Sequence, residues 1–412
     1  MSRRRSDLLD ILFNSPAYKA AAMPYEDKEL ANVEPFPFLG IVGQSEMKLA
    51  LLLALINPMV GGVLLLGPRG TAKTTAVRSL VDLLPRVKES LCINGEGCTE
   101  EMVEEYGMSA VCNDCAKKFG YGEPLTDEKK VHLVELPLNA RLEDVVGGID
   151  ERAALERQKV LLKRGILAQA DGNLLYIDEV NLLPNEIIDV ILDAAAQGFH
   201  IVRRGPMSLT YNARFMLIGS MNPEEGQLRP QIMDRFGLRA KVMGLTDPEQ
   251  RYAAYEVAIR YKQNPGQVAA QFAEHTLAMA EEIQLARALL PQVKVSEEAK
   301  RLGISLVAKL SIASNRSEIS MFEAARAYAA AAGRTEVEPD DVRAVALLAL
   351  RLRQSESLDA FFESQEKEDE KVVQAFDELM GNEGQLAEED VLPTIDAAET
   401  LLGSLVSGHD KE

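Results

Sequence analysis

Val63-Leu64-Leu65-Leu66-Gly67-Pro68-Arg69-Gly70-Thr71-Ala72-Lys73-Thr74-Thr75 is a short apolar run that empties into a loop of small residues and one lysine. Four apolar residues in a row, opened by Gly61-Gly62, suit a strand buried on both faces of a parallel sheet. Residues 72–84 then carry helical spacing up to Pro85. A strand, a small-residue loop and a helix N-terminus together turn several backbone N–H groups toward one point, which is what a polyphosphate requires. Gly67, Pro68, Arg69, Gly70, Thr71, Ala72 and Thr75 would form that cradle, Lys73 would reach the β- and γ-phosphates, and the Thr74 hydroxyl would coordinate Mg²⁺. The strict pattern asks for glycine where Ala72 stands, and alanine is the least bulky substitute.

Further along, Leu174-Leu175-Tyr176-Ile177-Asp178-Glu179 is a second buried strand, ending in two carboxylates. Alternation sends their side chains to different sides, so they can hold separate jobs. Asp178 is expected in the Mg²⁺ shell and Glu179 as the group that polarises the attacking water. A third strand, residues 213–220, leads to Asn222-Pro223, where Asn222 can orient that water from the other side. Asp234-Arg235-Phe236 follows at a helix end, and Arg235 (or Arg229) suits a cation reaching into a neighbouring subunit's γ-phosphate. Arg316, beside Ser317, would touch the same phosphate from a second region.

Strand and helix alternate from residue 63 to residue 220, the pattern of a parallel sheet with helices on both faces. Within this part, residues 153–167 read as a helix, 184–198 as another, and 199–211 as a hairpin around Gly205-Pro206. After Gly244 only helical spacing remains: 247–262, 265–290, 296–310, 317–333 and 339–353. Thr246 or Asp247 can cap the first of these, Ser296 the third and Ser317 the fourth. The expected organisation is a flexible leader at 1–25, an α/β ATPase domain at 26–244, an all-helical lid at 245–355 and an acidic tail at 356–412.

The 412 residues carry 45 basic and 64 acidic side chains. The tail alone holds 17 acidic and 3 basic residues, so the rest of the chain is close to neutral. A polyanionic surface disfavours phosphate backbones, and nucleic acid is not an expected partner. No apolar run is long enough to span a bilayer, and the N-terminus lacks the apolar stretch of a secretory signal. The chain reads as cytoplasmic.

All four cysteines, Cys92, Cys98, Cys112 and Cys115, fall in an otherwise irregular insertion at 90–125. Cys112-x-x-Cys115 is a common half of a zinc knuckle, and Cys92-x₅-Cys98 is a looser first half. Structural zinc, unconnected thiols and an Fe–S cluster are all compatible with that spacing. The four histidines (132, 200, 275 and 409) are scattered.

Taken together, the P-loop, the Asp178-Glu179 strand, Asn222 and Asp234-Arg235-Phe236 resemble the core set of AAA+ ATPases. More specifically, Leu136-Pro137-Leu138-Asn139-Ala140, Glu143-Asp144-Val145-Val146-Gly147, Tyr176-Ile177-Asp178-Glu179-Val180-Asn181-Leu182-Leu183 and Asn222-Pro223-Glu224-Glu225-Gly226-Gln227-Leu228-Arg229-Pro230 look like the ATPase subunit of magnesium chelatase. The resemblance covers roughly residues 38–351. It implies a ring, usually a hexamer, with ATP at subunit interfaces, and a partner complex that inserts Mg²⁺ into protoporphyrin IX. That complex would comprise an integrin-type domain subunit and a porphyrin-binding subunit. It also implies that Ile41-Val42-Gly43 hold adenine, that Asn222 is a first sensor, Arg316 a second, and Arg235 (or Arg229) the trans-acting finger. A cobalt chelatase motor and a MoxR-like chaperone acting on a client with a metal-binding adhesion-type domain would use nearly the same residues.

Overall fold

The computed structural model describes residues 35–353 except 85, 93–96, 150–161, 205–206 and 227. From the N-terminus the elements run α1 (Ser45–Ile56), β1 (Val63–Leu66), α2 (Lys73–Ser79), β2 (Arg86–Ser90), α3 (Glu100–Tyr106), α4 (Asn113–Gly120), β3 (Thr126–Lys130) and β4 (Leu133–Leu136). They continue with α5 (Leu142–Val146), β5 (Gly147–Ile149), β6 (Leu162–Arg164), α6 (Ile166–Gln169), β7 (Leu174–Ile177), α7 (Asn185–Gln197), β8 (Phe199–Arg204), β9 (Met207–Asn212) and β10 (Met216–Met221). Last come α8 (Pro230–Arg235), β11 (Leu238–Lys241), α9 (Pro248–Gln263), α10 (Pro265–Leu289), β12 (Lys294–Val295), α11 (Glu297–Lys309), α12 (Arg316–Ala331), β13 (Glu336–Val337) and α13 (Pro339–Leu350).

Five of the strands form one parallel sheet in the order β11-β1-β10-β7-β4. Because β10 lies between β1 and β7, the phosphate loop that follows β1 and the two carboxylates that follow β7 open onto the same end of the sheet. Ligands in such sheets sit at the carboxyl ends of the strands, where the order reverses. Residues of β1 and β7 are buried on both faces, and alternation divides them. Val63, Leu65, Leu174 and Tyr176 join a core with α1, α2 and the helices after residue 248. Leu64, Leu66, Leu175 and Ile177 join a second core with α7 and Phe236. The helical region thus shares one continuous core with a face of the sheet.

Capping follows chemistry in most places. Asp247 accepts from the Glu249 N–H at 3.2 Å and Ser296 from the Ala299 N–H at 3.2 Å. Ser317 does not cap: it lies inside α12, buried, with its hydroxyl donating to the Ser314 carbonyl. Two further expectations need correction. The insertion at 90–125 is not irregular, since it contains α3 and α4 and hangs from the antiparallel β2–β3 pair. The described part of 153–167 is not one helix, because β6 pairs with β5 and only the short α6 follows. The hairpin is present as β8–β9, while its Gly205-Pro206 turn, the leader at 1–25 and the tail at 356–412 lie outside the described residues.

Candidate active site

The loop after β1 is shaped by close backbone approach. A Cβ on Gly67 would stand 1.9 Å from the Val242 carbonyl oxygen, so no other residue fits there. Ala72 takes φ 66°, the left-handed region where the strict pattern has glycine, and an L-residue held there costs about 1 kcal/mol. Lys73, the first residue of α2, is buried, and its Nζ donates to the loop's own carbonyls, Gly67 at 2.6 Å and Pro68 at 2.7 Å. Those acceptors occupy the ammonium as phosphate oxygens would. Burial lowers the Lys73 pKa, while Asp178, Glu179 and Glu225 oppose the shift.

The two carboxylates do point to different partners. Asp178 accepts from the Thr74 hydroxyl at 3.2 Å, from the Tyr176 hydroxyl at 2.9 Å, and from Ser220. Ser220 in turn accepts the Glu179 N–H at 3.0 Å, which pins a residue whose φ is 52°. The Glu179 carboxylate faces the phosphate loop and pairs with Arg69 at 3.0 Å, and Arg69 also reaches Glu225 at 2.6 Å. Arg69, Lys73, Thr74, Asp178, Glu179, Ser220 and Asn222 line one cavity of about 200 Å³. Asn222 is buried there, its side-chain oxygen accepting the Glu224 N–H at 3.3 Å.

A larger cavity, about 850 Å³, adjoins the loop and is lined by Gly70, Ala72 and Thr75 on one side and by Ile41, Val42 and Tyr261 on the other. Gly43 turns the chain beside it at φ 65°, where a Cβ would come within 2.6 Å of the Leu245 side chain. Below this turn the buried Lys48 donates its ammonium to the Ile41 carbonyl, and desolvation lowers its pKa to about 8. Size, apolar lining and contact with the phosphate loop suit a nucleoside base and sugar.

The arginines lie elsewhere. Arg235 pairs with Asp193 and Arg229 with Asp189 at 3.3 Å, both along α7. Arg316, the first residue of α12, is half-exposed, with its guanidinium 4.0 Å from Asp234, and lines neither cavity. Asp234 also accepts from Ser314 at 2.8 Å and from the buried Arg353 at 2.6 Å. Sequence reasoning missed Arg69, Tyr176 and Ser220 as partners of the carboxylates, and Tyr261 in the lining of the larger cavity. For Tyr176 and Ser220 a signal existed: each stands at or near the end of a strand whose tip carries site residues.

The donor set fits MgATP. Lys73 and the loop amides offer positive charge to phosphates, while Thr74 and Asp178 offer oxygens to a hard cation. Comparison with known proteins agrees. A family model described as magnesium chelatase, subunit ChlI, matches residues 151–235, and an AAA lid domain model matches 301–375. The chain is 41% identical to a magnesium-chelatase subunit ChlI homolog of Methanocaldococcus jannaschii, over 84% of this chain and 91% of that protein. It is 41% identical to magnesium-chelatase subunit ChlI of Synechocystis sp., over 77% of this chain and 88% of that one. A crystal structure of a putative ATPase from Cytophaga hutchinsonii, 20% identical, shares the fold with a TM-score of 0.51 over 81% of this chain and 90% of that chain. A phosphate loop, a carboxylate pair and a polar strand tip around one cavity, in a chain this similar to both relatives, place the protein in the magnesium-chelatase ChlI family of AAA+ ATPases.

Proposed function

We propose that this chain is the ATP-hydrolysing motor subunit of a metal chelatase, driving Mg²⁺ insertion into protoporphyrin IX together with partner subunits. The carrying observation is the gathering of Lys73, Thr74, Asp178, Glu179 and Asn222 around one cavity at the strand ends. On ATP arrival Lys73 exchanges the carbonyls of Gly67 and Pro68 for β- and γ-phosphate oxygens. Thr74 and Asp178 would hold Mg²⁺, which when bound neutralises phosphate charge. Tyr176 and Ser220 keep the Asp178 carboxylate oriented, and Ser220 fixes the backbone of Glu179. Glu179 polarises a water whose oxygen attacks the γ-phosphorus as the bond to the β-phosphate oxygen breaks, with Asn222 orienting that water.

The finer assignments belong to the same reading. The site is completed in a homo-oligomeric ring, a hexamer, where Arg235 rather than Arg229 enters the neighbour's site and Arg316 closes on the phosphate from a lid at 245–355. The partners are an integrin-type domain subunit and a porphyrin-binding subunit. Beside MgATP the chain carries a structural Zn²⁺ at its four cysteines. Among the described residues no helix is long and apolar enough to cross a membrane, in keeping with work in the cytoplasm.

Reconstitution tests the assignment. The purified chain, an integrin-domain subunit and a porphyrin-binding subunit should form Mg-protoporphyrin IX, read by fluorescence, only with hydrolysable ATP. Glu179→Gln should bind ATP yet support no insertion. Insertion of Co²⁺ into a corrin-type ring instead, or ATP hydrolysis with no metallation by any ring, would overturn the porphyrin assignment.

A further inference from the structure

Segment 91–125 is too small to fold on its own apolar content. Its buried core consists of Val103, Val111 and Leu125 together with Cys92, Cys98 and Cys115. Half of that core is thiol, and domains below about 40 residues usually need a metal or a disulfide. None of the four cysteines is in a disulfide. Yet its described residues are tied together by specific hydrogen bonds. Glu100 accepts from the N–H groups of Leu125 and Thr126, at 2.6 and 3.0 Å, and from the Thr126 hydroxyl at 2.6 Å. The Leu91 N–H reaches the Leu125 carbonyl at 2.8 Å, closing the β2–β3 stem. Ser90 ties the first cysteine pair to that stem, accepting the Cys92 N–H at 3.2 Å and donating to the Cys98 carbonyl at 2.6 Å.

The sulfurs converge. All four Sγ atoms lie within 4.8 Å of one another, and those of Cys92 and Cys112 are 3.7 Å apart. Zn–S bonds of about 2.3 Å place the corners of a tetrahedron about 3.8 Å apart. An Fe–S cluster interposes several irons and inorganic sulfides between its thiolates and needs them farther apart. Cys112 is the residue preceding α4 and Cys115 lies in its first turn, so the head of one helix sets the spacing of the second pair. The Cys112 N–H points at the Cys98 Sγ at 3.3 Å, a hydrogen bond that a thiolate ligand accepts well.

The geometry points to a mononuclear tetrahedral Zn²⁺ site formed by Cys92, Cys98, Cys112 and Cys115 that holds the α3–α4 insertion folded as a unit separate from the ATP site. This deepens the zinc reading above; it and the motor reading can fail separately. Four thiolates select zinc over the hard cations that serve phosphate, so the two metal sites do not compete. The folding free energy of such a module comes largely from the ion. The stem's hydrogen bonds alone would leave it open.

Elemental analysis of the anaerobically purified full chain decides the ion. About one zinc per chain is expected, and iron with acid-labile sulfide, or no metal with four titrating thiols, overturns the site. Replacement of the zinc by Co²⁺ should give the intense sulfur-to-metal charge-transfer bands of four thiolates, whether or not cysteine variants fold. Their absence also overturns it. The structural role is read separately, in the Cys112→Ser, Cys115→Ser chain. Loss of zinc with new protease cleavage confined to 91–125 and unchanged ATP affinity supports it. Loss of zinc with no new cleavage, or with loss of ATP binding, leaves zinc in place as an assignment but overturns the separate unit.

Discussion

The phosphate loop begins at residue 67 and the cysteine insertion at residue 90, yet different physics holds them. The loop is braced from behind by a sheet whose strands are buried on both faces, and its chemistry is donated by residues from three strand ends. Among its described residues the insertion has three buried apolar side chains and three buried thiols, and their contacts are local: a stem, a carboxylate clasp and a sulfur cluster. A well-packed core can afford exposed, strained or charged groups at its edge. A segment without one needs a cross-link of another kind, the part proposed above for the zinc.

Substitutions can break that contrast, and the largest effect is expected at Lys73. Lys73→Ala removes the buried ammonium that meets the β- and γ-phosphates; calorimetry should find ATP binding lost, while the zinc content stays at its wild-type level. Retained ATP affinity would remove Lys73 from the site. Arg235→Ala should leave nucleotide binding by an isolated subunit intact and lower hydrolysis by a factor on the order of 10³. Mixing it with Glu179→Gln subunits should restore some active interfaces; no recovery in mixed rings verified by native mass spectrometry would place the arginine's action within its own subunit.

Lys48 gives a subtler test of how far packing alone can carry a charge. Its pKa is about 8, below the ordinary 10.5, because burial disfavours the ammonium. Below pH 8 it is protonated in the folded and unfolded chain alike, and no stability is gained. From pH 8 upward the unfolded chain binds the proton and the folded chain does not, so stability rises with pH. Relative to Lys48→Met, urea unfolding should show a gain of about 2 kcal/mol between pH 8 and pH 9.5. Parallel curves would mean that the group is neutral or solvated. The smallest effect is expected for Ala72→Gly, which relieves the left-handed backbone and should raise stability by about 1 kcal/mol, read as a shift in urea midpoint; destabilisation would show that the loop gains more from a stiff unfolded chain.

Much of this was legible beforehand, for physical reasons. Uniform apolar runs such as 63–66 and 174–177 can be satisfied only by burial on both faces, so they announce a parallel sheet. Glycine at 67 and lysine at 73 have one common use at the mouth of such a strand. What stayed hidden depends on partners distant in sequence. Arg69 finds Glu179 across 110 positions and Tyr176 finds Thr74 across 102, and no local pattern encodes either. The helices of the insertion escaped notice because each is only two turns long and its apolar stripe serves a core of a few residues; the one sign was the cap of α3, Thr99 accepting the Met102 N–H at 3.3 Å, whereas α4 has no side-chain cap at its head. Ser317 looked like a cap and is an interior helix residue, since nothing local distinguishes Ser314-Asn315-Arg316 as a turn from the start of a helix.

The bridge from Arg69 to Glu179 and Glu225 has a kinetic consequence. In the mechanism proposed above, this ion pair would hold Glu179 under lock when water enters the site before nucleotide. In that reading polyphosphate would compete for the same guanidinium, and substrate arrival would become an ion exchange in which the anion takes Arg69 and releases Glu179. Since Arg69 is largely exposed, that lock is sensitive to dissolved salt, and ionic strength acts on the chain as a dial for how often the base is free without cargo.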